Sequence, residues 1–357
     1  MLTLYRYIMC MKFSELILNW YDENKRNLPW RLTKDPYKIW ISEIILQQTR
    51  IAQGTSYYNR FISRFPTLES LANSDENDVL LMWQGLGYYS RARNLLFSAK
   101  YICNDLGSKF PVTYDEIIKL KGVGDYTASA IASICFEEQT PVLDGNVYRV
   151  LSRIFELENP IDLSSSRKIF KEKAKSLMSA KRCGDYNQAL MDFGSLVCKP
   201  QKPLCGSCNV SKLCKSFINN TVLKYPAKTS KNKIKTQYHD YIILTKDRKT
   251  LIVKIEDGIW KNLYRFPVCI SEKKQSKLYL QEYFKKKYNS SKVKISLINQ
   301  KFINHKLSHL TLKSRFWNIN IENNVTKGLF VSDFTDFPMP QLMRNFREKY
   351  KTKLSIF

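Results

Sequence analysis

Histidine is scarce in this 357-residue sequence, which contains only His239, His305 and His309. Because none precedes position 239, the first two thirds of the chain have no imidazole for acid–base catalysis or metal binding. Long apolar runs are also missing, since no stretch reaches the about eighteen residues that a membrane-spanning helix needs. Residues 1–13 are mildly apolar but have no small-residue cleavage site, so we interpret them as an N-terminal extension and not as a signal peptide.

Acidic residues are few compared with basic ones. The chain has 32 Asp and Glu against 58 Lys and Arg, which gives a formal net charge of +26. Such an excess attracts polyanions and favours nucleic acid as a partner, although a genome with lysine-rich codon usage would also produce it. The excess is +7 over residues 1–218 and +19 over residues 219–357, so the charge changes at a plausible domain boundary.

The hydrophobic pattern divides the chain into two architectures. Residues 14–218 show helical periodicity and almost no strand alternation, and residues 219–236 are polar and basic like a linker. Residues 237–357 combine strand patterns with one helical segment, Leu278–Tyr288. The predicted strands cover 241–244, 251–253, 293–297 and 311–321. We therefore predict a multidomain chain, with an all-α domain followed by an α+β domain.

Four of the nine cysteines form one cluster in the sequence. They are Cys198, Cys205, Cys208 and Cys214, with spacings of six, two and five residues between them. A single cluster among scattered thiols indicates a reducing compartment and a metal centre, and argues against a disulfide framework. Four thiolates suit either a zinc ion or a 4Fe–4S cluster, although structural zinc more often uses two short Cys-x2-Cys pairs.

A Gly-x-Gly turn joins an apolar helix end to a second helix within Ile117–Ala128. Gly122 and Gly124 allow positive φ and a close approach of the backbone to a ligand. The amides at the start of the second helix would favour a phosphate. A Gly-x-Gly turn alone is equally typical of a tight connection between helices, so the pattern predicts a phosphate site only in the right context.

Two carboxylates in the first domain are candidates for catalysis. Asp144 precedes a predicted helix, where it would act as an N-cap and remain ionised because the helix amides stabilise its charge. Glu43 flanks an apolar helical face that includes Trp40, Ile44 and Ile51. An apolar environment would raise the pKa of Glu43 and suit it to general-acid catalysis, whereas an ordinary boundary glutamate is the simpler interpretation of this position.

The segment Leu120–Gly124, followed by a helix, resembles the helix-hairpin-helix motif of DNA repair enzymes. Six further segments occur in order: Leu28-Pro29-Trp30-Arg31, Pro36–Trp40, Ser42-Glu43, Leu46–Thr49, Gly85–Asn94 and Leu143–Val147. Together they closely resemble the MutY family of adenine DNA glycosylases, and the resemblance runs from about residue 14 to residue 216. The resemblance implies an all-α helix-hairpin-helix glycosylase domain with an iron–sulfur cluster loop, followed by an α+β Nudix-like domain. It also identifies residues 14–218 as the glycosylase domain and 237–357 as a lesion-recognition domain.

The resemblance implies a mechanism in which adenine is flipped out of the duplex into a pocket. Glu43 would protonate the adenine ring, and Asp144 would stabilise the oxocarbenium-like sugar. Water assisted by Glu43 would then complete hydrolysis, as in glycoside hydrolysis by two carboxylates. The related endonuclease III family has a lysine nucleophile where this sequence has Tyr126. Because a phenol forms no Schiff base, we expect no lyase step.

The same resemblance assigns further residues to DNA. Trp30 and Arg31 would line the adenine pocket and Gln188 would read the flipped base. Gln48 and Tyr88 would wedge into the gap left in the base stack. Gly122 and Gly124 would hold a backbone phosphate. The four clustered cysteines would hold a 4Fe–4S cluster, on a loop whose lysines face DNA.

The second domain resembles the Nudix-like domain of the MutY family more loosely. Gly258–Pro267 matches its early strand region, but only Glu272 and Glu282 follow, without the glutamate pairs that hold Mg²⁺ in a Nudix hydrolase. We therefore expect a binding module without hydrolase activity. His305–His309 resembles the family's Phe-Ser-His loop that reads oxidised guanine, with Ser308 as the reader and Leu307 in place of the aromatic residue.

These features predict a monomeric, monofunctional DNA glycosylase of a bacterial cytoplasm, associated with the nucleoid. Its partner would be double-stranded DNA with adenine opposite 8-oxoguanine or guanine. Two alternatives remain: an endonuclease III-like glycosylase and lyase acting on oxidised pyrimidines, and a DNA-damage binding protein without activity. Tyr126 argues against the first alternative, and the presence of both Glu43 and Asp144 argues against the second.

Overall fold

The computed structural model describes residues 2–229, 235–290, 292–307, 310–321 and 328–354, with side chains described from residue 12 to residue 350. The chain forms two compact units. The first comprises Met1–Ser74 and Asn94–Ser230, and the second comprises Asp75–Arg93 and Lys231–Phe357. No helix in the described part of the chain is long and apolar enough to cross a membrane.

The first unit is helical, as the sequence predicts. Its first four helices are α1 (Leu2–Asn24), α2 (Pro36–Leu46), α3 (Ile51–Arg64) and α4 (Leu68–Ala72). The next helix, α5 (Glu76–Met82), belongs to the second unit, and α6 (Ser90–Asp105) has residues in both units. They are followed by α7 (Tyr114–Ile117), α8 (Asp125–Phe136), α9 (Gly145–Phe155), α10 (Ser164–Ser176), α11 (Cys183–Leu196) and α12 (Lys215–Ile218). One apolar core joins α1, α9, α10 and α11, and Cys198, Cys208 and Cys214 pack against it.

The helix that carries Glu43 is shorter than the apolar periodicity predicts. Residues 37–51 share one apolar pattern, but α2 ends at Leu46 and Ile51 begins α3. The break contains Gln48, whose φ of 58° is left-handed and incompatible with a continuing helix. The placement of Ile51 on the same helical face as Glu43 was therefore wrong, because backbone conformation at one residue overrides the periodic pattern.

Close contact between α9 and α11 depends on glycine. A Cβ atom on Gly194 of α11 would lie 2.6 Å from Asn146 Cβ on α9, a distance that real contacts do not reach. Any larger residue at position 194 would push α11 away from the first turn of α9. The spacing of these two helices matters for the site described below, because that turn follows Asp144.

The second unit is α+β, which confirms the predicted class. Its strands are β1 (Lys235–Lys246), β2 (Lys249–Lys254), β3 (Tyr264–Arg265), β4 (Val268–Ser271), β5 (Val293–Leu297), β6 (Ile303–Lys306), β7 (Leu310–Ile321) and β8 (Leu329–Val331). The sheet has the order β3-β2-β1-β7-β5, with β4 on β1, β6 on β7 and β8 on β2. The helices α13 (Lys277–Lys287) and α14 (Gln341–Leu354) complete the unit.

A parallel pair forms the centre of this sheet. Strands β1 and β7 run parallel, from Lys235 opposite Leu310 to Leu244 opposite Ile319. A buried ion pair joins them, because Arg315 Nε donates to Asp240 Oδ1 at 2.7 Å and Trp317 Nε1 donates to the same oxygen at 2.9 Å. The two-residue turn between β1 and β2 has positive φ at both Asp247 and Arg248, as hairpins of this length require.

The segment Asp75–Arg93 belongs to the second unit although it lies early in the chain. Asn77 Nδ2 donates to the Asp336 carbonyl at 3.0 Å, and Arg93 Nη1 donates to the Lys261 carbonyl at 2.6 Å. Asn262 Nδ2 also donates to Glu76. The second unit is therefore built from two separate segments of the chain, whereas the sequence analysis divides the chain once, near residue 218.

Candidate active site

A cleft in the first unit, of about 750 Å³ including space open to solvent, is lined by six of the predicted site residues. It is lined by Trp30, Arg31, Glu43, Tyr126, Asp144 and Gln188, which the sequence singled out. The cavity is also lined by Arg26, Leu28, Ile39, Leu46, Thr49, Ile51, Ile134, Asn146, Met191, Asp192 and Ser195. Residues from α2, α8, α9 and α11 therefore meet around one space.

Glu43 lies near the end of α2 with only 6% of its surface exposed. The pKa of its carboxyl is raised from 4.5 to about 7, mainly because burial disfavours the charged form and to a smaller extent because Asp144 is nearby. A hydrogen bond with Tyr126 and the charge of Arg31 act in the opposite direction. Glu43 is therefore protonated in a large part of the molecules at neutral pH, as a general acid must be.

Tyr126 is in the first turn of α8 and lies against Glu43. Its hydroxyl is also 3.3 Å from Met191 Sδ, a weak acceptor. Burial and the charges of Glu43 and Asp144 raise the pKa of Tyr126 well above its ordinary value. The phenol therefore stays neutral and donates a hydrogen bond to the Glu43 carboxylate when that group is ionised.

Asp144 caps the N-terminus of α9. Its Oδ1 accepts from the amides of Asn146 at 2.9 Å and Val147 at 2.7 Å, and its Oδ2 accepts from Asn146 Nδ2 at 2.7 Å. Burial nevertheless raises the pKa of Asp144, so these bonds do not fully offset the loss of water. The capping geometry agrees with the sequence prediction. The raised pKa of Asp144 does not, because the sequence analysis considered only the helix amides, which lower this pKa, and not burial, which raises it.

Asp192 is a pocket residue that the sequence analysis missed. It is fully buried and binds the Arg31 guanidinium in a two-pronged pair, with Nη1 to Oδ2 at 2.7 Å and Nη2 to Oδ1 at 2.9 Å. Arg26 binds the same carboxylate. Asp192 lies four residues after Gln188 on α11, so the two share a helix face, and this spacing was the available signal.

The predicted hairpin lies between α7 and α8. Gly122 has a φ of 83°, and a Cβ atom there would lie 2.6 Å from Asn94 Cβ, so both conformation and space require glycine. Gly124 caps α8 with ordinary φ, and a Cβ atom on it would meet nothing within 4 Å. The first amides of α8 therefore face an open surface that a phosphate can approach.

The four clustered cysteines surround a second cavity, of about 350 Å³. The rest of its lining is mainly apolar, with Arg153 as the charged exception. Arg153 Nη1 lies 3.4 Å from Cys198 Sγ and donates to the Lys199 carbonyl at 2.7 Å. Among the described residues, no three His, Cys, Asp or Glu side chains converge on one point as ligands of a single metal ion.

Helix α9 connects the two cavities. Asn146, which binds Asp144, accepts a hydrogen bond from Arg149 Nη2 at 2.9 Å. Arg149 Nε in turn donates to the Cys198 carbonyl at 2.8 Å. A continuous chain of hydrogen bonds therefore runs from the Asp144 carboxylate to the backbone of the cysteine loop.

The predicted base-stack residues do not line the catalytic cavity. Gln48 is exposed and lies in the left-handed break after α2. Tyr88 is 44% exposed with a φ of 47°, and it belongs to the Asp75–Arg93 segment of the second unit. Ser308 and His309 lie outside the described residues, so their predicted role stays a prediction.

Comparison with known proteins agrees with this geometry. Residues 41–176 match the HhH-GPD superfamily of base excision DNA repair proteins. The first unit is similar to a thermostable thymine-DNA glycosylase structure, with a TM-score of 0.55 and 31% identity over 59% of this chain and 97% of that chain. A trapped endonuclease III–DNA intermediate shares the fold at 20% identity, over 58% of this chain and 94% of that one, with a TM-score of 0.50. The fold and site therefore define a helix-hairpin-helix DNA glycosylase.

Similar proteins of known name identify the family within this class. The chain is 39% identical over 304 residues to an adenine DNA glycosylase of Buchnera aphidicola, which covers 84% of each chain. It is 42% identical over 214 residues to the Homo sapiens adenine DNA glycosylase, across 57% of this chain and 39% of that one. The chain belongs to the adenine DNA glycosylase family, whose enzymes hydrolyse the N-glycosidic bond.

Proposed function

We propose that this enzyme removes adenine from duplex DNA where adenine is mispaired with 8-oxoguanine or guanine. The observation that carries the chemistry is one cavity lined by the carboxyl groups of Glu43 and Asp144, in which Glu43 is buried and its pKa is raised to about 7. Two carboxyl groups of this kind allow one to act as acid while the other opposes a developing positive charge. Adenine would enter this cavity after leaving the base stack.

In the proposed mechanism, Glu43 donates its proton to the adenine ring as the bond to the sugar breaks. Asp144, fixed as the cap of α9, faces the positive charge that develops on the sugar. The Glu43 carboxylate then accepts a proton from the attacking water, and the Tyr126 hydroxyl stabilises this ionised form. Arg31, held by Asp192, shapes the wall that contacts the base.

We infer that the enzyme has no lyase activity. A lyase step needs an amine that attacks the sugar, and no lysine lines the described part of the catalytic cavity. The group next to Glu43 is the neutral phenol of Tyr126. Strand cleavage at the product should therefore require alkali or a second enzyme.

We also propose that the four cysteines hold a 4Fe–4S cluster. Four thiols face a shared cavity from Cys198, Cys205, Cys208 and Cys214, and the rest of the lining offers no carboxylate or imidazole among the described residues. A single zinc ion needs all four sulfurs about 2.3 Å from one point, whereas a cluster gives each thiolate its own iron. The sequence contains only one short Cys-x2-Cys pair, whereas structural zinc more often uses two, so the spacing favours the cluster. When bound, the cluster would shape the loop that Arg149 and Arg153 also hold.

The cluster proposal makes a direct prediction. Protein purified without chelators should be brown and should contain about four iron atoms per chain with negligible zinc, as a Cys₄ cluster requires. Iron and zinc can be measured together by plasma mass spectrometry. The control variant Cys103→Ser, which changes a cysteine outside the cavity, should contain the same metal as the wild type. A colourless, active protein that carries one zinc per chain would contradict the proposal.

Recognition of the opposite base is proposed to lie in the second unit. Adenine is a normal base, so its pocket cannot report whether it is mispaired. Oxidised guanine differs from guanine by a carbonyl at C8 and a proton on N7, and the Ser308 hydroxyl could bond to either group. The excess of +19 over residues 219–357 would add contacts to DNA phosphates.

Replacement of Ser308 by Ala should reduce the preference for adenine opposite 8-oxoguanine over adenine opposite guanine. Loss of one hydrogen bond costs about 1 kcal/mol, which corresponds to roughly a fivefold change in preference. The measurement is single-turnover adenine release and affinity on both duplexes. Thr311→Val on β7 serves as a control for loss of a hydroxyl nearby in the sequence. An unchanged preference would place discrimination elsewhere.

A point substitution is a better test than deletion of the second unit. Asp75–Arg93 donates hydrogen bonds to residues of that unit, among them Lys261 and Asp336. Deletion of residues 231–357 would therefore leave this internal segment, which includes Tyr88, without its partners. A loss of activity after deletion would not distinguish lesion recognition from misplacement of Tyr88.

A further inference from the structure

A basic groove on the first unit lies outside the catalytic cavity. It measures about 880 Å³ and is lined by Asp125 of α8 and by Ser164, Arg167, Lys168, Lys171, Glu172 and Lys175 of α10. Four cations and two carboxylates give the lining a formal charge of +2. Asp125 directly follows Gly124, so the groove begins where the hairpin ends.

The cations on α10 form a row. Arg167, Lys171 and Lys175 are four residues apart, which places successive side chains about 6 Å from one another on one helix face. Lys168 lies beside this row with 84% of its side chain exposed, and Lys175 is also exposed. A row of cations suits a polyanion better than a single small anion.

Asp125 would oppose a phosphate at the hairpin unless its charge is neutralised, because a carboxylate in the first helical turn repels an anion at the same amides. Its carboxylate accepts from Tyr114 Oη at 2.5 Å, Arg167 Nη2 at 2.6 Å and Lys171 Nζ at 2.5 Å. Partial burial acts against ionisation, yet the bonds from Lys171, Tyr114 and Arg167 hold the pKa of Asp125 below its ordinary value. The carboxylate is therefore ionised and bound to α10.

We propose that this groove binds the backbone of duplex DNA next to the phosphate at the hairpin. Lys168 and Lys175 contact the DNA backbone directly, and Arg167 and Lys171 neutralise Asp125 so that its charge does not repel the strand. The inference rests on the proposed DNA-binding role of the hairpin, which the groove extends. It adds phosphate contacts that no part of the mechanism requires for chemistry.

The first test is the salt dependence of DNA binding. The full chain with its metal centre would be titrated with an uncleavable duplex that carries a tetrahydrofuran abasic analogue, at several salt concentrations between about 50 and 200 mM. The double variant Lys168→Gln and Lys175→Gln should bind more weakly, with a logarithmic salt slope smaller by about two. A slope equal to that of the wild type would overturn the proposal.

Lys173→Gln is the matched control on the same helix. It removes one positive charge, but the Lys173 ammonium lies 3.8 Å from the centre of the Phe155 ring and the residue does not line the groove. Its salt slope should stay close to that of the wild type. A change of about half that of the double variant, in proportion to the charge removed, would show that total charge matters and the groove does not.

The second test concerns Asp125. Asp125→Asn should tighten binding to the same duplex, because it removes a negative charge beside the hairpin. Arg167→Gln should weaken binding in the wild-type background and much less in the Asp125→Asn background. An equal loss in both backgrounds would overturn the neutralising role assigned to Arg167.

Adenine release at saturating enzyme separates this inference from the proposed function. All groove variants should release adenine from a mispaired duplex at the wild-type single-turnover rate once they are bound. Normal release with an unchanged salt slope in the double variant would refute the groove alone. Failure of the wild type itself to release adenine would refute the proposed function instead, and thermal unfolding would confirm that each variant is folded.

Discussion

Glu43→Gln should bind mispaired DNA as tightly as the wild type and lose adenine release by a factor on the order of 10²–10⁴. Gln has nearly the shape of the protonated side chain, and therefore fits the same buried position at the end of α2. Its amide cannot protonate the adenine ring or accept a proton from water. Single-turnover release of adenine from a duplex with adenine opposite guanine, followed by alkali, measures the loss.

The pH dependence of the wild type follows from the raised pKa of Glu43. Because the proton is present below about pH 7 and is lost above it, single-turnover release should fall about tenfold for each unit above that pH. The variant should show no such decline in its residual rate. A wild-type rate that is flat between pH 6 and pH 9 would exclude Glu43 as the general acid.

The same substitution should stabilise the fold at alkaline pH. A carboxyl whose pKa is higher in the folded than in the unfolded state favours folding at low pH, and this contribution is lost as the pH rises through the folded-state pKa. The rise from 4.5 to about 7 corresponds to up to about 3 kcal/mol of free energy of unfolding at pH 8. Glu43→Gln should therefore unfold at a higher temperature than the wild type at pH 8, and this gain should vanish near pH 4.

Asp144→Asn should reduce adenine release by a factor on the order of 10²–10³, as loss of a preorganised charge at a reacting centre does. Asn is as good an N-cap as Asp, so α9 should keep its first turn. The substitution therefore removes the charge opposite the sugar while it preserves the local structure. Release should be measured at saturating enzyme, so that weaker DNA binding does not contribute.

Asp144→Ala provides the structural comparison. It removes both the charge and the cap, which accepts from the amides of Asn146 and Val147, and should cost about 1 kcal/mol of stability. If release depends on charge, the Asn and Ala variants should be similarly slow although only Ala lowers the unfolding temperature. A fully active Asp144→Asn variant would show that Asp144 serves only as a helix cap.

Local sequence patterns predict the class of each domain, and motif resemblance predicts the candidate catalytic residues. Helical periodicity over residues 14–218 and strand patterns beyond residue 237 are local properties, because side-chain spacing within one element sets them. Motif resemblance then singled out Glu43, Asp144 and Tyr126, which share one cavity. The cysteine spacing likewise indicated one shared site, and the four thiols line one cavity.

The surroundings of these residues depend on contacts between elements that are distant in the sequence. The pKa of Glu43 depends on burial by residues of several helices, and Asp192 became part of the pocket only through its pairs with Arg31 and Arg26. The break after Leu46 depends on a left-handed backbone at Gln48, which the apolar pattern across it conceals.

Interactions between distant parts of the chain explain the rest. The grouping of Asp75–Arg93 with the second unit arises from hydrogen bonds to Lys261 and Asp336, and the neutralisation of Asp125 arises from α10. The first leaves no signal in the sequence, because a hydrogen bond to a backbone carbonyl does not constrain the acceptor's residue type. The second joins side chains 42 and 46 residues apart, so no pattern within one element reveals it. Local patterns therefore fix which elements form, while desolvation and long-range pairing fix the charge and position of each functional group.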